Sequence, residues 1–345
     1  MAHPAHRLAL PVKTNLEIYE ITRVLGAGGF GVTYKARDPH LNCDVAIKEY
    51  LPSDLAIRAE GSTVVAKSSD TEEDFRFGLA RFLEEARTLA RFKHPNIVRI
   101  SRYFEANGTA YLVMDYEEGR TLLEFLKEFP TPDEQQLQSI FVPILHGPEE
   151  LHQVGILHRD IKPANIYLRA NGEPLLIDFG AAREALGKHS QALTGIVTAG
   201  YAPFEQYSTR ALLSATIDIY ALGATVYRAI TGSPPAEAPD RVHALQHGDP
   251  DPLVPAVEVG AGRYSLEFLR IVDWMLAPLS KGRPASAGVL LDLWDPENRE
   301  LDVPAPPLHD RATVAHDSPV RYARLSPRRA EIRSRAPSGA LKKLI

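Results

Sequence analysis

The segment His158–Asn165 has the sequence HRDIKPAN and gathers several chemically active side chains into one short loop. Asp160, Lys162 and Asn165 supply a carboxylate, an ammonium group and an amide. A carboxylate can accept the proton of a hydroxyl, an ammonium group can neutralise a phosphate, and an amide oxygen can coordinate a metal ion. The segment therefore predicts a site where a hydroxyl, a phosphate and a cation meet.

A second acidic motif follows this loop. Asp178-Phe179-Gly180 comes directly after the apolar run Leu175–Ile177, which reads as a short buried strand. A carboxylate at the end of a strand, followed by a flexible glycine, suits a ligand of a hard cation. Asp178 is therefore a second candidate for the predicted metal site.

A glycine cluster lies near the start of the chain, at Gly26–Gly31, with the sequence GAGGFG. It stands between two predicted strands, Tyr19–Leu25 and Val32–Arg37, whereas a dinucleotide-binding fingerprint needs a helix after its glycines. Backbone N–H groups of such a hairpin can approach phosphate oxygens because no Cβ intervenes. The alternative is a flexible hairpin with no ligand.

The run Val45–Lys48, VAIK, places a lysine at the end of an apolar strand. Lysine usually faces solvent, but a lysine that points into a cleft needs an anionic partner and can bind phosphates. The predicted helix Asp74–Phe92 has an apolar stripe and offers Glu85 as that partner, with Glu84 as the competing candidate.

The remaining periodicity divides the chain into a strand-rich first third and a helix-rich remainder. Two strands, Ile100–Glu105 and Thr109–Met114, flank Asn107-Gly108, a strong hairpin signal. Beyond Gly119 the predicted elements are helices, at Thr121–Glu128, Asp133–Gln153, Ala215–Thr231, Tyr264–Leu276 and Ala285–Trp294.

Taken in order, these motifs resemble those of the bacterial eukaryotic-like (Hanks-type) serine/threonine protein kinases. The order is the glycine cluster, VAIK, HRDIKPAN, DFG and then Ala202–Glu205, APFE, in the place of the family's A-P-E. The resemblance covers about Ile18 to Trp294. Any one motif is weak evidence, but five in the family's order are highly specific.

The resemblance implies an α+β, bilobal protein-kinase fold. Residues 18–115 would form a small N-lobe with an antiparallel sheet and one main helix, and residues 116–297 a larger, mainly helical C-lobe. Residues 1–17 would be an N-terminal extension. The stretch from Lys48 to Glu85 is longer than in most kinases, and residues 54–78 within it are expected to be an insertion that packs on the N-lobe or contacts a partner.

ATP and Mg²⁺ are the ligands that the resemblance implies. Lys48, held by Glu85, would bind the α- and β-phosphates, Met114 would be the gatekeeper residue, and Tyr167 would help to enclose the adenine. The implied nucleotide-binding residues are Leu25, Gly26, Ala27, Gly28, Gly29, Phe30, Gly31, Thr33, Ala46, Lys48, Met114, Asp115, Glu117 and Tyr167.

The resemblance also assigns the chemistry of transfer. Asp178 and Asn165 would hold Mg²⁺, and Asp160 would orient the substrate hydroxyl or accept its proton. Lys162 would neutralise phosphate charge and is typical of kinases that act on serine or threonine of protein substrates.

Further residues would support or regulate this site. Glu205 would pair with Arg283, and Asp218 would support the catalytic loop from a buried helix. Arg159 would receive a phosphate on the activation segment. Ser190 and Thr194 are the candidate phosphate acceptors, with unmodified polar loop residues as the alternative, and Thr198 would help to position the substrate.

Composition narrows the class of protein. The 345 residues are 44% apolar and 24% charged, which excludes a wholly disordered or collagen-like chain. Cys43 is the only cysteine, so no intrachain disulfide can form. No apolar run is long enough for a membrane span, no secretory signal is visible, and the net charge of −5 argues against nucleic-acid binding. We therefore expect a cytoplasmic protein.

The charge is distributed unevenly. Leu301–Ile345 carries nine Lys or Arg and four Asp or Glu, a net charge of +5, while residues 1–300 carry −10. Prolines interrupt this segment and its apolar periodicity ends, so residues 298–345 are expected to form a disordered basic tail. It could bind an acidic partner, an anionic membrane or the kinase body, or could be a solvated tail without function.

Three functions are compatible with the motifs. The first is an active serine/threonine kinase, and the second is a scaffold that binds nucleotide without transferring phosphate. The third is a kinase of small molecules, such as those that phosphorylate antibiotics or choline. Lys162-Pro163 and Ala202–Glu205, which belong to protein-substrate binding in the family, argue against the third.

Overall fold

The computed structural model describes residues 8–59, 61–180, 197–208 and 210–294. The predicted tail from residue 298 onwards lies outside them. Each of the five longer strands predicted from the sequence forms, and the short strand predicted at Leu175–Ile177 forms at Pro174–Leu176. The described residues contain five further short strands that were not predicted. Strands are numbered along the chain as β1 (Asn15–Leu16), β2 (Tyr19–Gly28), β3 (Gly31–Asp38), β4 (Cys43–Tyr50), β5 (Ala56–Arg58), β6 (Val64–Ala66), β7 (Ile100–Ala106), β8 (Thr109–Asp115), β9 (Gly119–Thr121), β10 (Ile166–Arg169) and β11 (Pro174–Leu176).

The N-lobe is built on a six-stranded antiparallel sheet in the order β1-β2-β3-β4-β8-β7. Side chains alternate between its two faces. Thr33, Ala46, Lys48 and Met114 share the inner face, because Thr33 lies opposite Lys48 and Ala46 opposite Met114. The sheet thus brings residues from three strands to one side of the N-lobe.

The outer face of this sheet is covered. Leu10 and Leu16 from the N-terminal segment are buried against it, as are Ala56 and Val64 from the β5–β6 hairpin. The hairpin occupies the first part of the predicted insertion, so that part packs on the N-lobe. The first third of the chain therefore folds as a sheet with both faces protected.

The inner face receives α1 (Ser69–Leu89), which places Glu85 beside the sheet. Phe75 and Phe82 of this helix pack on the ring of Tyr50, with ring centroids 5.5 and 5.4 Å apart. The helix begins earlier than the predicted start at Asp74. Its first turn is polar and exposed, so the apolar periodicity did not reveal it. At the start of the helix, the Ser68 backbone N–H donates a hydrogen bond to the Thr71 hydroxyl at 3.1 Å.

The C-lobe is mainly helical, as predicted. α4 is buried on nearly every side, which is typical of a helix at the centre of a lobe. Two short helices, α5 and α6, were not predicted. The helices after α1 are α2 (Leu122–Glu128), α3 (Glu134–Gln153), α4 (Thr216–Thr231), α5 (Ala238–His247), α6 (Ala256–Val259), α7 (Leu266–Met275) and α8 (Ala287–Trp294). Among the described residues, no helix is both long and apolar enough to cross a membrane.

A buried ion pair closes the C-lobe. The Arg283 guanidinium donates to both carboxylate oxygens of Glu205, at 2.6 and 3.2 Å. It also donates to the backbone carbonyls of Ala277, Thr216 and Pro278. The Arg283 side chain is fully buried and that of Glu205 is 15% exposed. One side chain therefore ties the APFE segment to the start of α4 and to the loop after α7.

Replacing Arg283 by methionine should lower the free energy of unfolding by about 3–5 kcal/mol, because it leaves the Glu205 carboxylate without its cation. Denaturant unfolding followed by circular dichroism measures this loss. The matched control is Arg76→Met, since Arg76 is 74% exposed in its pair with Glu72 and such pairs contribute roughly 1 kcal/mol at most. Equal stability of the two variants would contradict a structural role for the buried pair.

Candidate active site

The side chains of the HRDIKPAN loop converge on the Asp160 carboxylate. Lys162 Nζ lies 2.9 Å from Asp160 Oδ2, and the Thr198 hydroxyl donates to Asp160 Oδ1 at 2.9 Å. Asn165 Nδ2 donates to Asp160 Oδ2 and to the Asp160 carbonyl oxygen, both at 2.8 Å. Because its N–H groups serve the loop, Asn165 keeps its amide oxygen as the atom that can bind a cation. Thr198, predicted to position the substrate, lies at this carboxylate.

The HRDIKPAN loop is anchored to the C-lobe by Asp218, which lies in the first turn of α4. The buried Asp218 carboxylate accepts the backbone N–H groups of His158 and Arg159, each at 2.8 Å, and contacts His152 Nε2 at 2.8 Å. Arg159 has φ 69°, a left-handed conformation that residues with a Cβ rarely adopt. The two backbone hydrogen bonds therefore hold the loop in a strained shape.

The charge state of Asp218 is maintained by its partners. Burial acts against the carboxylate form, but the hydrogen bond and charge of His152, together with the neighbouring backbone donors, outweigh it, so the pKa of Asp218 lies below its ordinary value. His152 precedes the HRD motif on α3 and was not identified from the sequence. No local pattern links it to Asp218, which follows 66 residues later.

His158 connects the catalytic loop with the DFG segment. Its Nε2 lies 3.1 Å from the Ile177 carbonyl oxygen, and its ring contacts that of Phe179 at a tilt of 37°, with centroids 4.3 Å apart. Burial lowers the pKa of His158, despite the nearby carboxylates. His158 is therefore a neutral, structural residue, and its carbonyl accepts the Gly180 N–H at 2.9 Å.

Lys48 reaches across from the N-lobe to Asp178. Its Nζ lies 2.9 Å from Asp178 Oδ1, and the two side chains are 19% and 35% exposed. Desolvation opposes both charges, but their mutual attraction outweighs it and raises the pKa of Lys48 while lowering that of Asp178. Glu85, the predicted partner of Lys48, adds to the attraction that raises this pKa.

The glycine cluster contains two kinds of glycine. A Cβ at Gly31 would lie 2.0 Å from the Glu49 carbonyl oxygen, so no side chain fits there. At Gly26, Gly28 and Gly29, a Cβ would meet nothing within 4 Å. Close packing on β4 therefore requires Gly31, whereas the open space at the other three fits a loop that lies over phosphate groups.

The residues predicted to contact the adenine lie on the inner face of the N-lobe sheet and on the segment that links the two lobes. Met114 is buried on β8 beside Ala46, and Asp115 follows it. The Tyr167 hydroxyl donates to the Glu117 carbonyl oxygen at 3.2 Å. The resemblance to the kinases implies that the backbone of Asp115 and Glu117 bonds the base, and Tyr167 uses part of the acceptor capacity of the Glu117 carbonyl.

The donor set fits a magnesium ion carried by a polyphosphate. The described part of the chain holds no group of three or more His, Cys, Asp or Glu side chains that could bind a metal by themselves. Magnesium is usually held by one or two carboxylates together with substrate phosphates. Asp178 and Asn165 supply that kind of incomplete ligand set. Of the predicted regulatory residues, Ser190 and Thr194 lie outside the described residues.

Comparison with known proteins gives a consistent result. The family model described as "Protein kinase domain" matches residues 19–294. Serine/threonine-protein kinase PknB of Mycobacterium leprae is 36% identical over 247 residues, which cover 69% of this chain and 36% of that protein. The chain thus spans little more than a third of that relative's length.

Two solved structures are similar to the chain. The apo form of PpkA-294 is 35% identical, with a TM-score of 0.76, and the match covers 84% of this chain and all of that one. Rad53 residues 1–466 in complex with AMP-PNP share the fold, at 22% identity and a TM-score of 0.59, over 81% of this chain and 65% of that one. Because the family model spans most of the sequence and the motifs meet in one cleft, the chain belongs to the protein kinase family, with bacterial serine/threonine-protein kinases among its relatives.

Proposed function

We propose that this protein transfers the γ-phosphoryl group of Mg-ATP to serine or threonine hydroxyls of proteins. The observation that carries the proposal is the arrangement around Asp160, where Lys162, Thr198 and Asn165 all bond one carboxylate. Phosphoryl transfer asks a protein mainly for in-line positioning and for neutralisation of phosphate charge. This arrangement offers both at one point of the cleft.

Each side chain has a distinct role in the proposed reaction. Asp160 orients the acceptor hydroxyl and takes its proton as the phosphoryl group is transferred. Lys162 and Lys48 neutralise phosphate charge with preorganised cations. Asp178 and Asn165 would hold Mg²⁺ through their side-chain oxygens, and the ion would supply positive charge that neutralises the phosphates.

The Lys48–Asp178 pair prepares the site for this ligand. Each group keeps the other charged, as the directions of their pKa shifts indicate. Binding of Mg-ATP would give the ammonium group a phosphate partner and the carboxylate a cation. Lys48 would thus exchange the Asp178 carboxylate for a phosphate, and Asp178 would exchange the Lys48 ammonium group for Mg²⁺. Neither charge would be left uncompensated in the cleft.

Protein acceptors are favoured over small alcohols by the APFE segment. Its Glu205 is locked by the buried Arg283, and Thr198 just before it is bonded to both Asp160 and Lys162. A rigid platform next to the general base suits an extended peptide. The relatives' names as serine/threonine-protein kinases support the same acceptor class.

The wider setting is proposed from the sequence alone. We infer that the protein works in the cytoplasm and phosphorylates itself on Ser190 or Thr194, where Arg159 could receive the phosphate. The basic tail would contact an acidic partner or the kinase body.

Replacing Asp160 by asparagine should lower kcat by roughly 10²–10⁴-fold, because the general base is lost, with little change in ATP affinity. Transfer from labelled ATP to a panel of protein and small-alcohol acceptors measures the rate and the acceptor class. Asp249→Asn makes the same chemical change at an exposed position and should keep the wild-type rate. Equal rates in the two variants would refute the role of Asp160, and label on small alcohols alone would refute a protein kinase.

Replacing Asp178 by asparagine should raise the half-saturating Mg²⁺ concentration by at least about tenfold, since even outer-shell partners of a metal contribute that much. The measurement is a Mg²⁺ titration of phosphate transfer at constant ATP. The same Asp249→Asn variant serves as the control. An unchanged Mg²⁺ dependence in Asp178→Asn would show that Asp178 does not hold the ion.

A further inference from the structure

The roles proposed above do not include the covering of the outer face of the N-lobe sheet. We call this covering the outer cap; it consists of residues 8–16, 51–59 and 61–67. Its apolar residues include Leu10, Leu16, Ala56 and Val64, which are all at most 3% exposed. A second set of contacts, made by buried polar groups, joins the cap to the sheet.

These polar contacts centre on Glu49, which follows Lys48 on β4 and therefore points to the opposite face. Glu49 is fully buried. Its carboxylate accepts the hydroxyl groups of Tyr34 and Tyr111, each at 2.7 Å, and lies 2.5 Å from Arg58 Nη2. A buried carboxylate needs such donors because it has no access to water.

Arg58 belongs to the β5–β6 hairpin and connects three parts of the N-lobe. Besides Glu49, its guanidinium bonds the Leu8 carbonyl oxygen at 2.6 Å and the Ser62 carbonyl oxygen at 2.7 Å. The Arg58 side chain is only 7% exposed. One group thus fastens the N-terminal segment and the hairpin to the strand that carries Lys48.

The outer cap also holds the tip of the glycine cluster, Gly29-Phe30, which forms the turn between β2 and β3. The Ser53 N–H donates to the Gly29 carbonyl oxygen at 2.8 Å, and the Leu51 N–H donates to the Phe30 carbonyl oxygen at 3.1 Å. The amides of Leu55 and Ala56 then bond the Pro52 carbonyl oxygen, at 3.0 and 2.9 Å, and lead directly into the hairpin. The turn between β2 and β3 is therefore attached to the cap by the backbone.

We propose that the outer cap fixes the tip of the glycine cluster over the nucleotide phosphates, and that Arg58 and Glu49 are positioning residues for ATP. Glycine-rich backbone is intrinsically mobile, and a loop that must be ordered on binding weakens affinity. A cap that orders the tip beforehand removes this cost. The inference rests on the proposed function, since it assigns the phosphates to the glycine cluster.

The test is the double variant Arg58→Met/Glu49→Gln, which removes both charges and so leaves no unpaired ion in the core. The ATP KM should rise by about fivefold or more, because the tip must now be ordered on binding, while kcat stays within about twofold. Hydrogen exchange should become faster at the amides of Leu51 and Ser53. Arg76→Met, an exposed arginine of the same lobe, should change neither quantity.

A melting curve shows whether the double variant is folded. If it is folded and both the ATP KM and the exchange at Leu51 and Ser53 equal those of the wild type, the cap does not position the loop. If the double variant does not fold, the inference is tested on the wild-type protein. A non-hydrolysable ATP analogue with Mg²⁺ should then slow exchange at Leu51 and Ser53 together with the glycine cluster, and slowing in the cluster alone would overturn the inference.

Failure of the proposed function gives a different result. In that case the wild type would transfer no phosphate to any acceptor. Nucleotide affinity and amide exchange could still be measured, and they would test separately whether the cap positions the glycine cluster.

Discussion

The catalytic loop depends on one buried carboxylate. Asp218, at the start of the central helix of the C-lobe, accepts the two backbone N–H groups that precede Asp160. Arg159, which carries one of these N–H groups, has a left-handed backbone conformation, which would relax without these bonds. Asp160 and the residues that converge on it owe their positions to this anchor. The proposed general base is thus placed by Asp218, and the rigidity of its loop derives from the core of the larger lobe.

The N-lobe is organised around β4, whose successive residues serve opposite purposes. Lys48 faces the cleft and meets Asp178, while Glu49 faces outwards and meets Arg58. The Glu49 carbonyl also sets the distance at which the glycine cluster packs, since it leaves no room for a Cβ at Gly31. A single strand therefore connects the cleft, the glycine cluster and the outer cap, because alternation sends neighbouring side chains to different faces.

Local sequence patterns predicted the longer elements well, because each carries enough residues for a period to be visible. Strands β9 and β10 have three and four residues and were missed because so few residues show no period. The polar first turn of α1 was missed because it is largely exposed and carries no apolar residue. The hairpin in the predicted insertion was also missed: its buried residues, Ala56 and Val64, are too few and too widely spaced to form a pattern.

The amino-acid sequence alone was sufficient for the family and the two-lobed fold, because the motifs of phosphoryl transfer stand in the family's order along the chain. It also identified the residues that meet around Asp160 and Asp178, whose roles toward ATP and Mg²⁺ stay predictions. Only the tertiary structure could show which distant groups meet. His152 and Asp218, Tyr167 and Glu117, and Arg58 and Leu8 are each far apart in sequence yet bonded in space. Such contacts depend on how helices and strands pack, and packing is a property of the whole chain that no local pattern encodes.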